Sequence, residues 1–572
     1  MPYTPPLDEF RFLLRDVVSF GRVQATGRFA EATDDVVAAV LTEAGRLCAE
    51  VLEPLRRVGD THPAQLENGI VRTPPGFARA YRQVAEGGWV SVAAPPEHGG
   101  MGLPATLQTA VNDMMSAANL GLHTCILLSQ GQIEAIGAHA SDTLRALYLP
   151  RLVSGEWSGT MNLTEPQAGS DVGALTTRAE PNGDGTYAIT GRKIYITYGD
   201  SDIVDNVVHL VLARLPDAPA GTRGISLFLV PKRLPDESGA AGVANRVSVS
   251  GLEHKMGLHG SPTCTMEYEG ATGWLVGDEG GGMAAMFTMM NNARLAVGVQ
   301  GIGVAEGATQ AALAWALERR QGRSPLPEGT GTGAIVDHAD VRRMLAAMRA
   351  ETFAARAIAL SCAVAIDMDA ATGETEWAAR AALLTPIAKA WGTEVGHAVA
   401  QEAIQVHGGM GYVEETGVAQ FARDVRVAAI YEGTNGIQAM DLVGRKLADG
   451  GEALFRLLDE IEAEAEAARE TLPDLAAPVW QAAENLREAT EWMIDQPPQE
   501  RFAGAVPFLH ATARVLGGHA HLAAAQAGGE PRRALAGVYI HRLLPTHEGL
   551  LAQARAGAEG LYALSPDDLA AA

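Results

Sequence analysis

The stretch TYAITGRKIYIT, residues 186–197, decides the fold class, because its apolar side chains recur at every second position. This period is typical of a half-buried β-strand. No helical pattern separates this stretch from the similar ones that follow it, so we expect an antiparallel β domain, built as sheets or as a small barrel. The similar stretches are NVVHLVLARL (206–215), GISLFLVPK (224–232) and NRVSVSGLEHKMG (245–257), each bounded by turn residues.

Helical periodicity lies on both sides of this β region. Apolar residues return at three- and four-residue spacing before residue 156 and again after residue 275, where long patterns with short connections favour an antiparallel bundle. The pattern continues beyond the point where such a bundle is complete. We therefore predict a mainly α chain with a central β domain, divided into an N-terminal α domain (1–155), a middle β domain (156–275), a C-terminal helical bundle (276–446) and an appended α domain (447–572).

Composition narrows the class of protein. The chain has 572 residues, 47% of them hydrophobic, and a formal charge of −24, which argues against general binding to nucleic acid or anionic membranes. It contains no run of about 18 apolar residues and its first residues lack a secretory pattern, so we expect a cytoplasmic protein without membrane insertion. Four scattered cysteines without CxxC spacing predict small buried side chains rather than disulfides or a metal site.

A single carboxylate, Glu432, stands in the stretch IYEGTNGIQ, residues 430–438. Gly433 and Gly436 indicate that the chain turns there. A carboxylate at such a turn is usually a helix cap. The alternative is a desolvated general base, which requires a cofactor and further partners elsewhere in the sequence.

Two stretches of the β region offer chemistry that suits a flat polar ligand. MNLTEPQAGSD (161–171) combines hydroxyls with a turn of small residues whose N–H groups are open to close approach, although an ordinary connecting turn explains it equally well. In GRKIYITYGD (191–200), alternation predicts that Tyr195 and Thr197 share one strand face. They could contact a flavin, or simply be a pair that favours a sheet.

Two further stretches lie in the predicted bundle. QVHGGMGY (405–412) is a glycine-rich break after a long helix, and ALERRQGR (316–323) is a cluster of arginines that could meet a pyrophosphate. A helix C-cap and a solvated helix end are the simpler alternatives. GIGVAEG (301–307) begins like a dinucleotide fingerprint, but no strand precedes it and Glu306 occupies the third glycine position, so we predict tight helix packing instead.

In this order, LTEPQAGSD, GRKIYIT, ERRQG, QVHGGMGY and YEGTNGIQ closely resemble the acyl-CoA dehydrogenase flavoproteins, over roughly residues 30–446. The stretch EETGVAQFARDVRVAAIYEGTNGIQAMDLVGRK and the appended domain resemble a longer bacterial branch of that family, which includes 3-methylmercaptopropionyl-CoA dehydrogenases of sulfur-compound catabolism. The resemblance implies the family's fold: an N-terminal α domain, a β-barrel-like domain and a four-helix bundle.

The resemblance also implies the activity, α,β-dehydrogenation of an acyl-CoA thioester to the trans-2-enoyl-CoA, with FAD as cofactor. Glu432 would be the catalytic base that takes the α-proton while the β-hydride passes to the flavin. The implied substrate is 3-methylmercaptopropionyl-CoA or a short- or medium-chain acyl-CoA. The implied partners are an electron-transfer flavoprotein and a second copy of the chain, in a homodimer or a dimer of dimers.

Site residues carried over from the family fall into two groups. The implied substrate contacts are Ser170, Arg294, Tyr431 and Gly433, the arginine lying near the base. The implied cofactor contacts are Met161, Leu163, Thr164, Gly169, Ser170, Tyr195, Thr197 and Thr434, together with Arg319, Gln321, His338, Gln405, Gly408 and Gly409, which would reach the FAD of a neighbouring subunit.

The sequence departs from the common family pattern at five positions. Tyr195 replaces a tryptophan, Gly322 a phenylalanine, Gly436 a glutamine, Asn291 an aspartate and Gln420 a basic residue. These departures affect individual contacts rather than the resemblance as a whole.

Two other functions share the predicted fold. An acyl-CoA oxidase would use the same base but transfer electrons to oxygen. A DNA-associated flavoprotein would need a basic C-terminal domain, whereas residues 447–572 contain nine arginines, no lysine and 19 acidic residues, a net charge of −10. That charge makes DNA binding the weaker alternative.

Overall fold

The computed structural model describes residues 3–326 and 332–571. These residues form two compact units, one built from 39–293 and the other from 3–38 together with 294–571. The described strands are β1 (Gln65–Glu67), β2 (Ile70–Arg72), β3 (Trp157–Asn162), β4 (Arg178–Pro181), β5 (Tyr187–Thr197), β6 (Asn206–Arg214), β7 (Ile225–Pro231), β8 (Arg233–Pro235), β9 (Ala241–Ala244), β10 (Val247–Leu252), β11 (Thr263–Val276), β12 (Arg320–Arg323) and β13 (Thr332–Ala334).

Helices make up most of the rest, and none within 3–326 or 332–571 is both long and apolar enough to cross a bilayer. They are α1 (Leu7–Phe12), α2 (Gly21–Gln24), α3 (Asp34–Leu47), α4 (Arg56–Thr61), α5 (Phe77–Glu86), α6 (Ala105–His139), α7 (Asp142–Val153), α8 (Gly282–Glu318), α9 (Ala339–Thr372), α10 (Thr375–His407), α11 (Ala419–Val425), α12 (Asn435–Asp441), α13 (Glu452–Ala468), α14 (Pro473–Asp495), α15 (Pro498–Ala527), α16 (Glu530–Val538), α17 (Thr546–Ala554), α18 (Glu559–Tyr562) and α19 (Pro566–Ala571).

The predicted β domain is a seven-stranded sheet whose strands partly close on themselves. β7 pairs with both β11 and β6, and the pairings β11–β5, β5–β4 and β4–β6 complete a ring of five strands. This agrees with the predicted barrel-like form. Two pairings are parallel, β3 with β6 and β4 with β6, which the expectation of antiparallel sheets missed. β3 is buried along its whole length and therefore carries no alternation that would reveal it.

A short hairpin interrupts the first predicted α domain. β1 and β2 pair antiparallel around Asn68 and Gly69, whose φ angles are 52° and 78°. An Asn-Gly pair tolerates two successive positive φ angles and so favours a two-residue hairpin turn. The prediction of a purely α domain is wrong for these residues.

A second hairpin follows α8. The arginine stretch ALERRQGR leaves the helix after Glu318, and its residues Arg320–Arg323 form β12, which pairs with β13. Residues 327–331, between these two strands in the sequence, lie outside the described part of the chain.

The long helices of the bundle approach each other at glycines. A Cβ placed on Gly298 would lie 2.4 Å from the carbonyl oxygen of Ala388, and one on Gly301 would lie 2.2 Å from that of Gly392. α8 and α10 therefore meet backbone to backbone. The stretch GIGVAEG lies within α8, which confirms helix packing rather than a nucleotide loop.

The appended helices belong to the same compact unit as the bundle. Arg514 of α15 pairs with Glu351 of α9, and its guanidinium lies 4.6 Å from the ring centre of Trp391 in α10. Nearby, His521 of α15 donates to the carbonyl of Ala350 at 3.0 Å. The appended helices therefore pack against the bundle.

The four cysteines are buried and unbridged, as predicted. Burial raises the pKa of Cys125, Cys264 and Cys362 to about 12, so these thiols stay protonated and act as small apolar side chains.

We expect Gly301→Ala to lower the apparent melting temperature clearly, because the added Cβ has no room against the Gly392 carbonyl. Overpacking of this kind costs about 1–3 kcal/mol. Gly137→Ala in α6 is the matched control, since nothing lies within 4 Å of its Cβ position. Thermal unfolding is monitored by circular dichroism. Equal melting temperatures for the two variants would contradict the close approach of α8 to α10.

Candidate active site

Glu432 occupies a sharp bend immediately before α12. Its φ angle is 55° and that of Gly433 is 84°, so two successive residues adopt left-handed backbone conformations. The cap of α12 is Thr434, whose side chain accepts the N–H of Ile437 at 3.3 Å. The carboxylate of Glu432 is therefore not the helix cap, and the simpler of the two sequence interpretations is wrong.

Side chains from two helices hold the bend in place. The amide of Gln438 donates to the carbonyls of Glu432 and Gly433, each at 3.4 Å, and a Cβ on Gly433 would come within 2.7 Å of that amide nitrogen. The hydroxyl of Tyr431 donates to the side-chain oxygen of Gln300 in α8. The backbone that carries Glu432 is thus fixed on both sides.

Two cations act on the carboxylate. Lys389 of α10 and Arg294 of α8 are both buried, and each favours the ionised form of Glu432. Burial is the largest influence and works in the opposite direction, so the pKa of Glu432 rises to about 7. The residue is only partly buried, which leaves the base accessible to a ligand while most surrounding atoms belong to protein.

Arg294 has a carboxylate partner of its own. Its Nη1 lies 3.8 Å from Asp441 of α12, whose other oxygen pairs with Arg445 at 2.5 Å. Burial lowers the pKa of Arg294, but an arginine stays charged throughout the physiological range. The predicted residues Arg294, Tyr431 and Gly433 are therefore brought together around Glu432.

In the other unit, a buried ion pair fixes the predicted flavin loop. Glu165 accepts from Lys193 of β5 at 2.8 Å, and also from the backbone and hydroxyl groups of Thr176 and Thr177. Burial alone would raise the pKa of Glu165, but these donors outweigh it and hold the pKa at about 2. Lys193 additionally donates to the carbonyl of Leu163 at 3.0 Å.

Sequence reasoning missed this pair. The signal that could have revealed it is a lysine at an inward position of a strand, since Lys193 falls in register with buried Ile189. A buried lysine needs an anionic partner, and the adjacent predicted loop offers two acids, Glu165 and Asp171.

Tyr195 lies in a β-bulge rather than in a regular strand. Lys193 pairs with Met266 and Ile196 with Cys264, so two residues of β5 oppose one residue of β11. The prediction of regular alternation is wrong across 193–196. Lys193 and Ile196 are both buried although they are three positions apart, whereas strict alternation would place them on opposite faces. The bulge leaves the Tyr195 side chain 61% exposed with a φ angle of 59°.

The other predicted flavin contacts of this unit lie in the loop after β3 and near the end of β5. The backbone carbonyl of Thr164 accepts the N–H of Ile194 at 2.9 Å, and the carbonyl of Thr197 accepts the hydroxyl of Thr160 at 2.8 Å. Met161 is buried in β3, whereas Gly169 and Ser170 are exposed at the tip of the loop. The loop and the end of β5 thus form one surface.

The residues predicted to reach a neighbouring subunit gather at one end of the bundle. His338 donates to the carbonyl of Gln321 at 2.8 Å, and Arg319 donates to the Gln321 side chain at 3.4 Å. Trp315 and His407 stack at 5.1 Å, which links the end of α8 to the end of α10. The predicted residues at the end of α10 are Gln405, Gly408 and Gly409, all exposed.

Comparison with known proteins covers almost the whole chain. The sequence is 44% identical over 533 residues to the 3-methylmercaptopropionyl-CoA dehydrogenase of Ruegeria pomeroyi, spanning 91% of this chain and 90% of that protein. The chain belongs to the acyl-CoA dehydrogenase family. Models of that family match in succession: the N-terminal domain at 38–156, the middle domain at 160–271, the C-terminal domain at 280–448 and an acetyl-CoA dehydrogenase C-terminal-like domain at 457–565.

Solved structures agree on the fold of this acyl-CoA dehydrogenase. Caenorhabditis elegans ACDH-11, in complex with C11-CoA, superposes with a TM-score of 0.80 at 21% identity, over 94% of this chain and 91% of that one. An acyl-CoA dehydrogenase from Bacillus anthracis, complexed with FAD, gives 0.75 at 22% identity, over 96% and 91%. The predicted family and fold are confirmed, and the chain is an oxidoreductase of this family.

We expect Lys193→Met to destabilise the dehydrogenase and to lower the ratio of bound flavin to protein, since we propose below that this loop holds FAD. Removing one partner of a buried ion pair costs about 3–5 kcal/mol, because the other charge stays buried. Apparent melting temperature and the ratio of flavin to protein absorbance measure the two effects.

The matched control is Arg192→Met, whose ion pair with Glu267 lies on the surface of the same strand and contributes little. The double variant Lys193→Met, Glu165→Met should recover part of the lost stability. If Lys193→Met and Arg192→Met behave alike, the buried pair does not hold the loop.

Proposed function

We propose that this chain catalyses α,β-dehydrogenation of an acyl-CoA thioester, with FAD as its cofactor and Glu432 as the base. One observation carries the proposal: Glu432 is held in a bend where another residue, Thr434, already caps the helix, and burial raises the pKa of the free carboxylate to about 7. A base with a pKa near the working pH combines ionisation with the strength that a weakly acidic α-proton demands.

The residues of the loop and of β5 suit a flavin. The exposed bulge presents the ring of Tyr195, the partly exposed Thr164 and Thr197 offer hydroxyls, and no atom lies within 4 Å of a Cβ on Gly169, which leaves the loop backbone open. We propose that these residues hold the FAD, with Met161, Leu163 and Ser170. When bound, FAD supplies the acceptor for the β-hydride.

The contribution of the chain itself lies around Glu432. The carboxylate takes the α-proton, and the backbone N–H groups of the bend are available to the thioester oxygen, whose negative charge develops as the proton leaves. An acyl chain in contact with Glu432 would exclude water and raise its pKa further. Tyr431, Gly433 and Arg294 would shape the substrate side of the site, and Thr434 would lie against the cofactor.

For the substrate we propose 3-methylmercaptopropionyl-CoA, because the Ruegeria pomeroyi relative aligns with 91% of this chain at 44% identity. Short- and medium-chain acyl-CoA thioesters are the alternative. The proposed electron acceptor is an electron-transfer flavoprotein, on the strength of family membership.

We also propose the division into four domains given above and a homodimer or dimer of dimers. The exposed side chains at the end of the bundle support the assembly. His338 is half-buried, and the other predicted contacts at this end are exposed: Arg319, Gln321, Gln405, Gly408 and Gly409. Apolar side chains of α8 and of the segment after α10 are exposed there as well: Leu313, Leu317, Met410 and Tyr412.

We expect Glu432→Gln to retain its yellow colour and acyl-CoA binding but to lose about 100- to 10,000-fold in turnover, the usual contribution of a positioned base. Turnover is measured by anaerobic dye reduction, and binding by calorimetry. Glu415→Gln is the control, since this carboxylate is exposed. Near-normal turnover in Glu432→Gln would place the base elsewhere.

A panel of 3-methylmercaptopropionyl-, butyryl-, octanoyl- and palmitoyl-CoA tests the substrate. We expect the highest kcat/KM for the first, and a palmitoyl-CoA maximum would contradict the assignment. Stoichiometric peroxide in air, with slow transfer to an electron-transfer flavoprotein, would instead identify an oxidase.

A further inference from the structure

Lys389 is a buried cation that the proposed reaction has not yet used. It lies in the stretch LLTPIAKAWG of α10, among apolar neighbours, and its side chain is inaccessible to solvent. Desolvating an ammonium group is expensive, so its persistence there calls for a physical reason.

The partner of Lys389 is an amide. Its Nζ donates to Oδ1 of Asn435 at 2.9 Å, and in the part of the chain that the structure describes it forms no direct ion pair. The amide nitrogen of Asn435 donates in turn to Glu394 at 2.7 Å and to Thr393 at 3.0 Å. These two bonds turn the Asn435 oxygen towards Lys389.

Charged and titratable groups face Lys389 and Glu432 from each surrounding element. α10 contributes Lys389 and Glu394, α8 contributes Arg294, and Tyr431 adjoins the base. The charge of Arg294 is partly compensated by its ion pair with Asp441, a carboxylate that also pairs with Arg445. Lys389 has no such carboxylate in direct contact, so more of its field acts on Glu432.

We propose that Lys389 is a positioning residue for the reaction, whose charge, with no carboxylate in direct contact, keeps Glu432 ionised in the resting site. This inference rests on the proposed function of Glu432 as the base. Asn435 contributes by holding the ammonium group through a neutral amide. A carboxylate at position 435 would instead neutralise its charge.

The direction of both pKa shifts agrees with this arrangement. Burial raises the pKa of Glu432 to about 7 and lowers that of Lys389 to about 8. Burial thus works against both charges, while the charge of each residue stabilises that of the other. Without the lysine charge, only Arg294 opposes desolvation of Glu432, and the base would hold its proton to higher pH.

A purely structural role is the competing explanation, since the bond from Lys389 to Asn435 also joins α10 to the first turn of α12. Lys389→Gln separates the two. Glutamine can still donate to Asn435 but carries no charge, whereas Lys389→Met removes both the charge and the bond, and Lys389→Arg keeps the charge.

We expect the acid limb of kcat/KM against pH to move upward by about one unit in both Lys389→Gln and Lys389→Met, because an opposite charge nearby lowers a carboxyl pKa by about that amount or more. At pH values below the limb, a shift of one unit lowers kcat/KM about tenfold. Lys389→Arg should keep the limb near that of the wild type. A limb that moves in Lys389→Met but not in Lys389→Gln, or in neither, would overturn the proposal.

A second measurement does not require turnover. The infrared absorption of the protonated Glu432 carboxyl, identified by its loss in Glu432→Gln, can be titrated in protein from which flavin has been removed. We expect its midpoint to rise in Lys389→Gln and not in Lys389→Arg. If Lys389→Met fails to fold, Lys389→Gln and Lys389→Arg decide the question by the same titration.

The two proposals fail separately. If the wild-type protein oxidises no acyl-CoA, the proposed function is wrong. If it oxidises acyl-CoA normally and the midpoint for Glu432 is unchanged in Lys389→Gln, only the role of Lys389 is wrong.

Discussion

The close approach of α8 and α10 is the contact on which the arrangement around Glu432 depends. A Cβ on Gly298 would lie 2.4 Å from the Ala388 carbonyl and 3.0 Å from Cα of Lys389. Arg294 precedes Gly298 by four residues and so lies on the same face of α8. Helices held at this distance carry both buried cations into the neighbourhood of one carboxylate. Larger side chains at the contact would separate the charges that determine its protonation.

The molecule uses buried lysines in two contrasting ways. Lys193 meets Glu165 directly, and the carboxylate surrounded by donors has a pKa of about 2, too low for a base at neutral pH. Lys389 is held by the amide of Asn435, and Glu432 has a pKa of about 7. A buried lysine therefore fixes a loop in one case and leaves a carboxylate with a pKa near neutrality in the other. The difference lies in whether direct hydrogen bonds saturate the carboxylate.

Sequence patterns predicted the order of helical and strand regions because burial on one face leaves a period of two or of about 3.6. They failed where that period is absent. β3 is buried along its whole length, and the bulge at Tyr195 shifts the alternation of β5 by one position. At the site, motifs identified Glu432 and Arg294, but Lys389, Gln300 and Gln438 were missed. Lys389 and Gln300 belong to no motif, and only the fold brings them to the bend. Gln438 ends the stretch IYEGTNGIQ, but nothing in the sequence shows that its amide returns to the carbonyls of Glu432 and Gly433.

Backbone strain gives a further argument that the bend serves a purpose. Glu432 and Tyr195 both adopt positive φ angles, and such a conformation costs a residue with a Cβ about 1–2 kcal/mol. Among the other described non-glycine residues with positive φ, Asn68 and Asp217 tolerate it, whereas Ser19, Tyr198 and Leu258 are strained as well. A long carboxylate and a large aromatic ring tolerate it less well, and a glycine would remove the strain at either position. Their retention is explained if the side chains themselves are required, as a base next to a substrate and a ring next to a cofactor.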